Sequence, residues 1–93
     1  MIFPRYIAWE RFVKQGKRCG YCRKRIYWPN FQRNHGKGAF HAHHIDGDDT
    51  NNFLSNCVCL CVGGRENCHM NIAHGGDYAS DYLAPRSAFV LNE

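Results

Sequence analysis

Residues 39–62 read AFHAHHIDGDDTNNFLSNCVCLCV, and this stretch decides the fold. Ala39 to Ile45 alternates, which predicts a strand with His41 and His43 on one face and Phe40, Ala42 and His44 on the other. Asn56 to Val62 alternates again, setting Val58, Leu60 and Val62 against Cys57, Cys59 and Cys61. Between them, Asp46-Gly47-Asp48-Asp49-Thr50-Asn51-Asn52 is turn chemistry throughout, which excludes a regular element. Its carboxylates suggest calcium, but an EF-hand also needs a later bidentate Glu and flanking helices, and the sequence supplies neither.

Working outward towards the N-terminus, Pro4 suits a first helical turn and Gly16 a stop, which predicts a helix over Pro4 to Gln15. Tyr6, Trp9 and Val13 recur at helical spacing as its apolar face, with Arg5, Glu10, Arg11 and Lys14 on the other side. Arg25 to Trp28 is β-branched and aromatic, a strand ending at Pro29, and Asn30 to Gly38 is a loop. Towards the C-terminus, Gly63-Gly64 turns the chain, Glu66 to Ala73 predicts a short helix, and Gly75-Gly76 ends it. Tyr78, Tyr82, Leu83, Phe89, Val90 and Leu91 then form a tail able to lie back over the core.

The length bounds these elements to one small α+β domain spanning 1–93, because 93 residues bury only about 60 to 65% of their unfolded surface. A composition of 44% hydrophobic and 22% charged residues is globular rather than disordered. No run approaches the roughly 18 apolar residues of a membrane span, and Arg5 and Glu10 interrupt any signal-peptide core, which points to a cytoplasmic chain. Twelve Lys and Arg against eight Asp and Glu leave a charge of +4. The basic residues Arg11, Lys14, Lys17, Arg18, Arg23, Lys24, Arg25, Arg33 and Lys37 crowd the first forty positions among Tyr21, Tyr27, Trp28 and Phe31. Such a segment suits a polyanion, although a merely solvated face has the same composition.

Six cysteines are too many to be incidental. In an exported chain they would suggest disulfides. In the cytosol, Cys19-Gly20-Tyr21-Cys22 reads as a two-residue knuckle and Cys61 to Cys68 as a wider one, and four thiolates in two pairs can close a tetrahedral Zn²⁺ site. Structural zinc contributes roughly 10 to 16 kcal/mol in small modules, so it would be a condition of folding.

The histidines are the other unusual feature. Adjacent His43 and His44 point to opposite strand faces, yet near a strand end they can straddle one site, one imidazole binding a metal and the other taking a proton. His69 follows Cys68, so the knuckle would deliver a further imidazole with little freedom to lose. His74 lies five residues on, about 140° around an ideal α-helix, and joins a site only if the helix has ended. His35 and His41 read as surface or capping residues, with His41 sharing a face with His43 and so able to stand behind a ligand.

The ordered set Cys19-x-x-Cys22, His43-His44-Ile45-Asp46-Gly47-Asp48, Asn51-Asn52, Asn56, Leu60-Cys61 and Cys68-His69 resembles the HNH endonucleases, over about 18–75 of the chain. The resemblance implies a ββα-metal fold preceded by the N-terminal helix of 4–15 and followed by a tail of 76–93. It implies His44 as general base, His43 and His69 as ligands of a catalytic divalent ion (Mg²⁺, Mn²⁺, Ni²⁺ or Zn²⁺), and Asn56 as the residue ordering the loop that holds His44. Cys19, Cys22, Cys61 and Cys68 match the structural zinc ligands. The implied activity is hydrolysis of phosphodiester bonds in DNA, most naturally double-stranded, by a small protein like those of phages and mobile elements, alone, as a homodimer or within a larger assembly. The chain departs from the pattern in three places. Its second knuckle has six intervening residues rather than two, which brings in Cys59 as an alternative to Cys61; Cys57 replaces an aliphatic residue; and Ala73 stands where a further metal histidine is usual. Two other readings fit the cysteines and the charge: a non-catalytic zinc-knuckle module that binds nucleic acid, and an HNH-derived protein that binds a protein partner.

Overall fold

The computed structural model describes residues 2–64 and 66–93. Its regular elements are one α-helix, α1 (Arg5–Lys14), and two antiparallel strands, β1 (Phe40–His44) and β2 (Cys57–Cys61), followed by a five-residue π-helical turn, His69–Ala73. The architecture is therefore a small α+β fold on a two-stranded sheet.

Strand register follows from the alternation. Phe40 pairs with Cys61, Ala42 with Cys59 and His44 with Cys57, while His41 pairs with Leu60 and His43 with Val58. Partners directly opposite share a face, so one face carries Phe40, Ala42 and His44 and the other His41 and His43. Helix α1 covers the first: Phe12 stacks on Phe40 with ring centroids 5.3 Å apart, and the Ala8 carbonyl faces the Cys59 sulfur at 3.7 Å. The π-helical turn and the tail cover the second, with Phe89 6.4 Å from His43. All five residues of β2 are buried, which explains a strand of Cys, Val and Leu without a polar face.

The helix begins and ends where the sequence places it but turns a different side inward. Ala8, Arg11 and Phe12 are buried, whereas Tyr6, Trp9 and Val13 are 71%, 44% and 45% exposed. The reason is polar. Arg11 is fully buried because its guanidinium donates to the Leu91 and Leu54 carbonyls, at 2.8 and 2.9 Å, and pairs with Glu93 at 2.8 Å. Gln15, also buried, donates to the Cys59 carbonyl and accepts from the Cys59 N–H, so its amide extends the ladder of β2 as a third strand would.

Two further elements differ from expectation. Only Arg25 pairs, with Arg18 in the turn-back that carries the first knuckle, and Trp28–Asn30 is a 3₁₀ turn instead of strand. Pro29 fixes φ there, and the Trp28 indole stacks on Phe31 at 4.8 Å within an aromatic cluster. The helix expected over Glu66 to Ala73 contracts to His69–Ala73. The tail returns over the molecule, the Val90 N–H donating to the Gly20 carbonyl and the Ala84 N–H to the Ala73 carbonyl. No helix among the described residues is long and apolar enough to cross a membrane.

Candidate metal centres

Among the described residues, two clusters of metal-ligating side chains form, one of thiols and one of imidazoles. The Sγ atoms of Cys19, Cys22, Cys61 and Cys68 all lie within 4.8 Å of one another. The loop after α1 supplies the first pair. Gly20 lets that loop approach β2, because a Cβ there would come 2.5 Å from Val58, and its N–H donates to the Cys59 carbonyl at 2.9 Å. Cys61 ends β2, and the chain reaches Cys68 through Gly63 and Gly64, both at positive φ, where side chains are strained. Cys59 takes no part, since its sulfur points to α1.

Hydrogen bonds among the thiols converge on one sulfur, that of Cys19. Backbone N–H groups of Tyr21 and Cys61 approach the Cys19 sulfur at 3.4 and 3.5 Å. Hydrogen bonds from the Cys61 and Cys68 thiols hold Cys19 far below the ordinary thiol range, and donating to Cys19 pushes Cys61 up to about 12 and Cys68 upward as well. One thiolate is thus shared among several protons, which a divalent cation would displace. Four thiol ligands with no position left over fit a closed, structural site.

In the second cluster, one ring nitrogen each from His43, His69 and His74 lies within 4.8 Å of the others. Strand β1 presents His43, and the π-helical turn presents the other two. A π-helix closes i→i+5 hydrogen bonds, so five residue steps come round where an α-helix would place four. This is why His74 reaches the site despite Ala73 occupying the usual position. The Nε2 atoms of His69 and His74 are 3.2 Å apart, close to the separation of about 3.3 Å that two tetrahedral ligands 2.0 to 2.1 Å from one ion would have. His43 is buried, and its Nε2 has no hydrogen-bond partner among the described residues. A buried imidazole with an orphaned nitrogen, its ring 5.0 and 4.8 Å from those of His69 and His74, fits a cation, as does the protonation state: burial, then the neighbouring His74 and His44, pushes His43 down to about 3, and burial followed by His43, His41 and His74 pushes His69 down to about 2. Both are neutral near pH 7, the form that ligates.

His44 lies on the opposite strand face but lines the same cleft, of about 240 Å³, with His43, His69 and His74. Phe3 stacks on its ring, centroids 3.7 Å apart and planes 11° from parallel. Its Nε2 donates to the Asn52 side-chain oxygen at 2.9 Å. Asn56 fixes the loop between the strands: its oxygen accepts from the Asp46 N–H at 3.0 Å, and its amide donates to the Asp46 carboxylate and to the Asn51 carbonyl. Asn51 closes the ring by donating to Asp46 at 2.8 Å. The Asp46 and Asp48 carboxylates therefore serve the turns of this loop, Asp46 also accepting from the Asp48 N–H and Asp48 from the Thr50 N–H.

Phe3 and Asn52 are parts of this site to which the sequence reading assigns no role: Asn52 stands only as a member of the Asn51-Asn52 pair in the ordered set, and nothing in the spacing of Phe3 signals it. Tyr78 lies beside the site, its hydroxyl 3.4 Å from His69 Nδ1. His41, expected at the surface or behind a ligand, is half-buried with its Nδ1 3.2 Å from His69 Nδ1. His35 lines a separate, larger cleft of about 440 Å³ with Lys24, Arg25, Tyr27 and Lys37, where the two cations Arg25 and Lys37 lie 5.8 and 5.5 Å from the Tyr27 ring. No family model, curated protein or solved structure matches the chain.

Proposed function

We propose that the chain is a metal-dependent endonuclease of the HNH kind, hydrolysing phosphodiester bonds in DNA, with structural Zn²⁺ on Cys19, Cys22, Cys61 and Cys68. The observation that carries this reading is the convergence of His43, His69 and His74 on one wall of a cleft that His44 also lines. The order of elements, two antiparallel strands and then a helical turn bearing ligands, agrees with the ββα-metal arrangement. These three imidazoles would hold the catalytic ion. Bound there, it would withdraw charge from the scissile phosphate and the leaving oxygen.

The chain's own groups set up the proton transfer. An amide oxygen only accepts, so the bond to Asn52 places the His44 hydrogen on Nε2 and leaves Nδ1 with the lone pair. That nitrogen takes the proton of the attacking water, while Phe3 holds the ring plane. Asn56 acts one step back, keeping the Asp46 to Asn52 loop in the shape that puts Asn52 against His44. The basic cleft around Tyr27 supplies cations and an aromatic face for a nucleic-acid strand, which supports DNA as the partner.

The test is cleavage of supercoiled plasmid by the purified protein with Mg²⁺, Mn²⁺ or Ni²⁺, with and without a chelator. Cleavage that the chelator abolishes is expected, and His44→Ala should lower its rate by about 10² to 10⁴ with folding intact. Cleavage by His44→Ala at the wild-type rate would overturn the assignment, and DNA binding without cleavage under any ion would favour the binding module.

A further inference from the structure

We propose that His41 is a positioning residue: it accepts a hydrogen bond from His69 Nδ1 and thereby holds the His69 Nε2 lone pair towards His43 and His74. The inference rests on reading His43, His69 and His74 as a metal site, and it concerns a residue that does not touch the ion.

The geometry leaves each imidazole little choice. His69 faces His74 through Nε2, at 3.2 Å, and His41 through Nδ1, also at 3.2 Å. A neutral imidazole carries one hydrogen, so the two contacts cannot both be donated by His69. Ligation settles which. With Nε2 of His69 presenting its lone pair to an ion beside His74, the single hydrogen of His69 lies on Nδ1 and is donated to Nδ1 of His41. The relay runs from His41 through His69 to the cluster. Ligating histidines need such a partner on the second nitrogen, and losing it costs about 10 to 100-fold in metal affinity.

The packing suits this role. His41 and His43 share a strand face two residues apart, so the strand that presents a ligand also presents the orienting group for the next one. Their rings lie 5.2 and 5.0 Å from the His69 ring, near edge-on in both cases. The competing partner is Tyr78, whose hydroxyl is 3.4 Å from the same Nδ1 and which is about half exposed. A hydroxyl both donates and accepts, so Tyr78 alone could not fix the tautomer.

The experiment is nitrogen-15 NMR of histidine-labelled, zinc-loaded protein, which reads each imidazole tautomer directly, joined to Co²⁺ titration of the imidazole site by its visible bands. Wild-type His69 is expected as the Nδ1–H form and His41 as the Nε2–H form. His41→Phe should mix the His69 tautomers and weaken Co²⁺ by about 10 to 100-fold. His41→Asn, whose oxygen sits near the lost Nδ1, should restore both, and Tyr78→Phe should change neither. An Nε2–H tautomer for His69 in the wild type, unchanged Co²⁺ affinity in His41→Phe, or a loss confined to Tyr78→Phe would overturn the proposal. Absence of Co²⁺ binding by the wild type would instead defeat the metal-site reading, and the tautomers would still decide the role of His41.

Discussion

The thiol cluster and the imidazole cluster are built on opposite principles. Cys19 and Cys22 are neighbours in sequence on a loop pinned to β2, and all four sulfurs converge with no ligand position left over. His43, His69 and His74 come from a strand and an irregular turn, and they offer only three nitrogens beside a cleft. A closed set of four suits a scaffold, and an open set of three suits chemistry, since a substrate oxygen or water needs the remaining position. On the proposed function, this small fold would separate holding itself together from acting on a ligand, although Cys68 and His69 are adjacent.

If the division is right, the largest effect belongs to the thiols. Cys19→Ser should abolish folding, because the metal contributes roughly 10 to 16 kcal/mol and a domain this size has about 5 to 15 kcal/mol in all. Circular dichroism and metal content measure it together, and a folded, zinc-free Cys19→Ser protein would erase the distinction. Next comes the open cluster. His74→Ala should remove the chelator-sensitive ion and metal-dependent cleavage while the thiol-bound zinc and the melting temperature stay near wild type. Elemental analysis before and after mild chelation reads this, and equal loss of both ions would mean the clusters are not independent.

The comparison can be sharpened by pH. His43 and His69 are neutral when folded, with values pushed down to about 3 and about 2, against about 6.5 in the unfolded chain. Between those limits the unfolded state binds more protons, so stability is complete above about 6.5 and is lost as pH falls towards 3. The loss is on the order of a few kcal/mol. Denaturant titrations between pH 7 and 4 should show it, and His43→Leu should flatten the slope. An unchanged slope in that variant would show that the imidazoles are not held neutral by burial. The smallest effect lies in the basic cleft. Lys24→Gln and Lys37→Gln should each reduce the salt dependence of DNA binding by about one unit of slope, and no change would place the strand elsewhere.

What was legible in the sequence follows the same division. The first knuckle is visible because its ligands are local, and the two strands are visible because alternation is a property of consecutive residues. The α1 boundaries come from Pro4 and Gly16, but its inward face does not, since burying Arg11 depends on carbonyls of Leu54 and Leu91 and on Glu93, all far along the chain. His74 is only a conditional ligand at the 100° per residue of an α-helix, which sets it 140° from His69, and the π-helical turn that brings the two together cannot be read from hydrophobic periodicity. Asn52 and Phe3 are silent for a related reason: each contacts His44 only after the loop and the N-terminal segment have folded against β1.

Cobalt titration of the metal-free protein, refolded in the presence of the ion, tests the two-centre account most directly. Two successive phases are expected, the first with strong thiolate-to-metal absorption that disappears in Cys68→Ser, the second with weak visible bands that disappear in His69→Ala while the first remains. A single phase, or a His69→Ala protein that retains both, would contradict it.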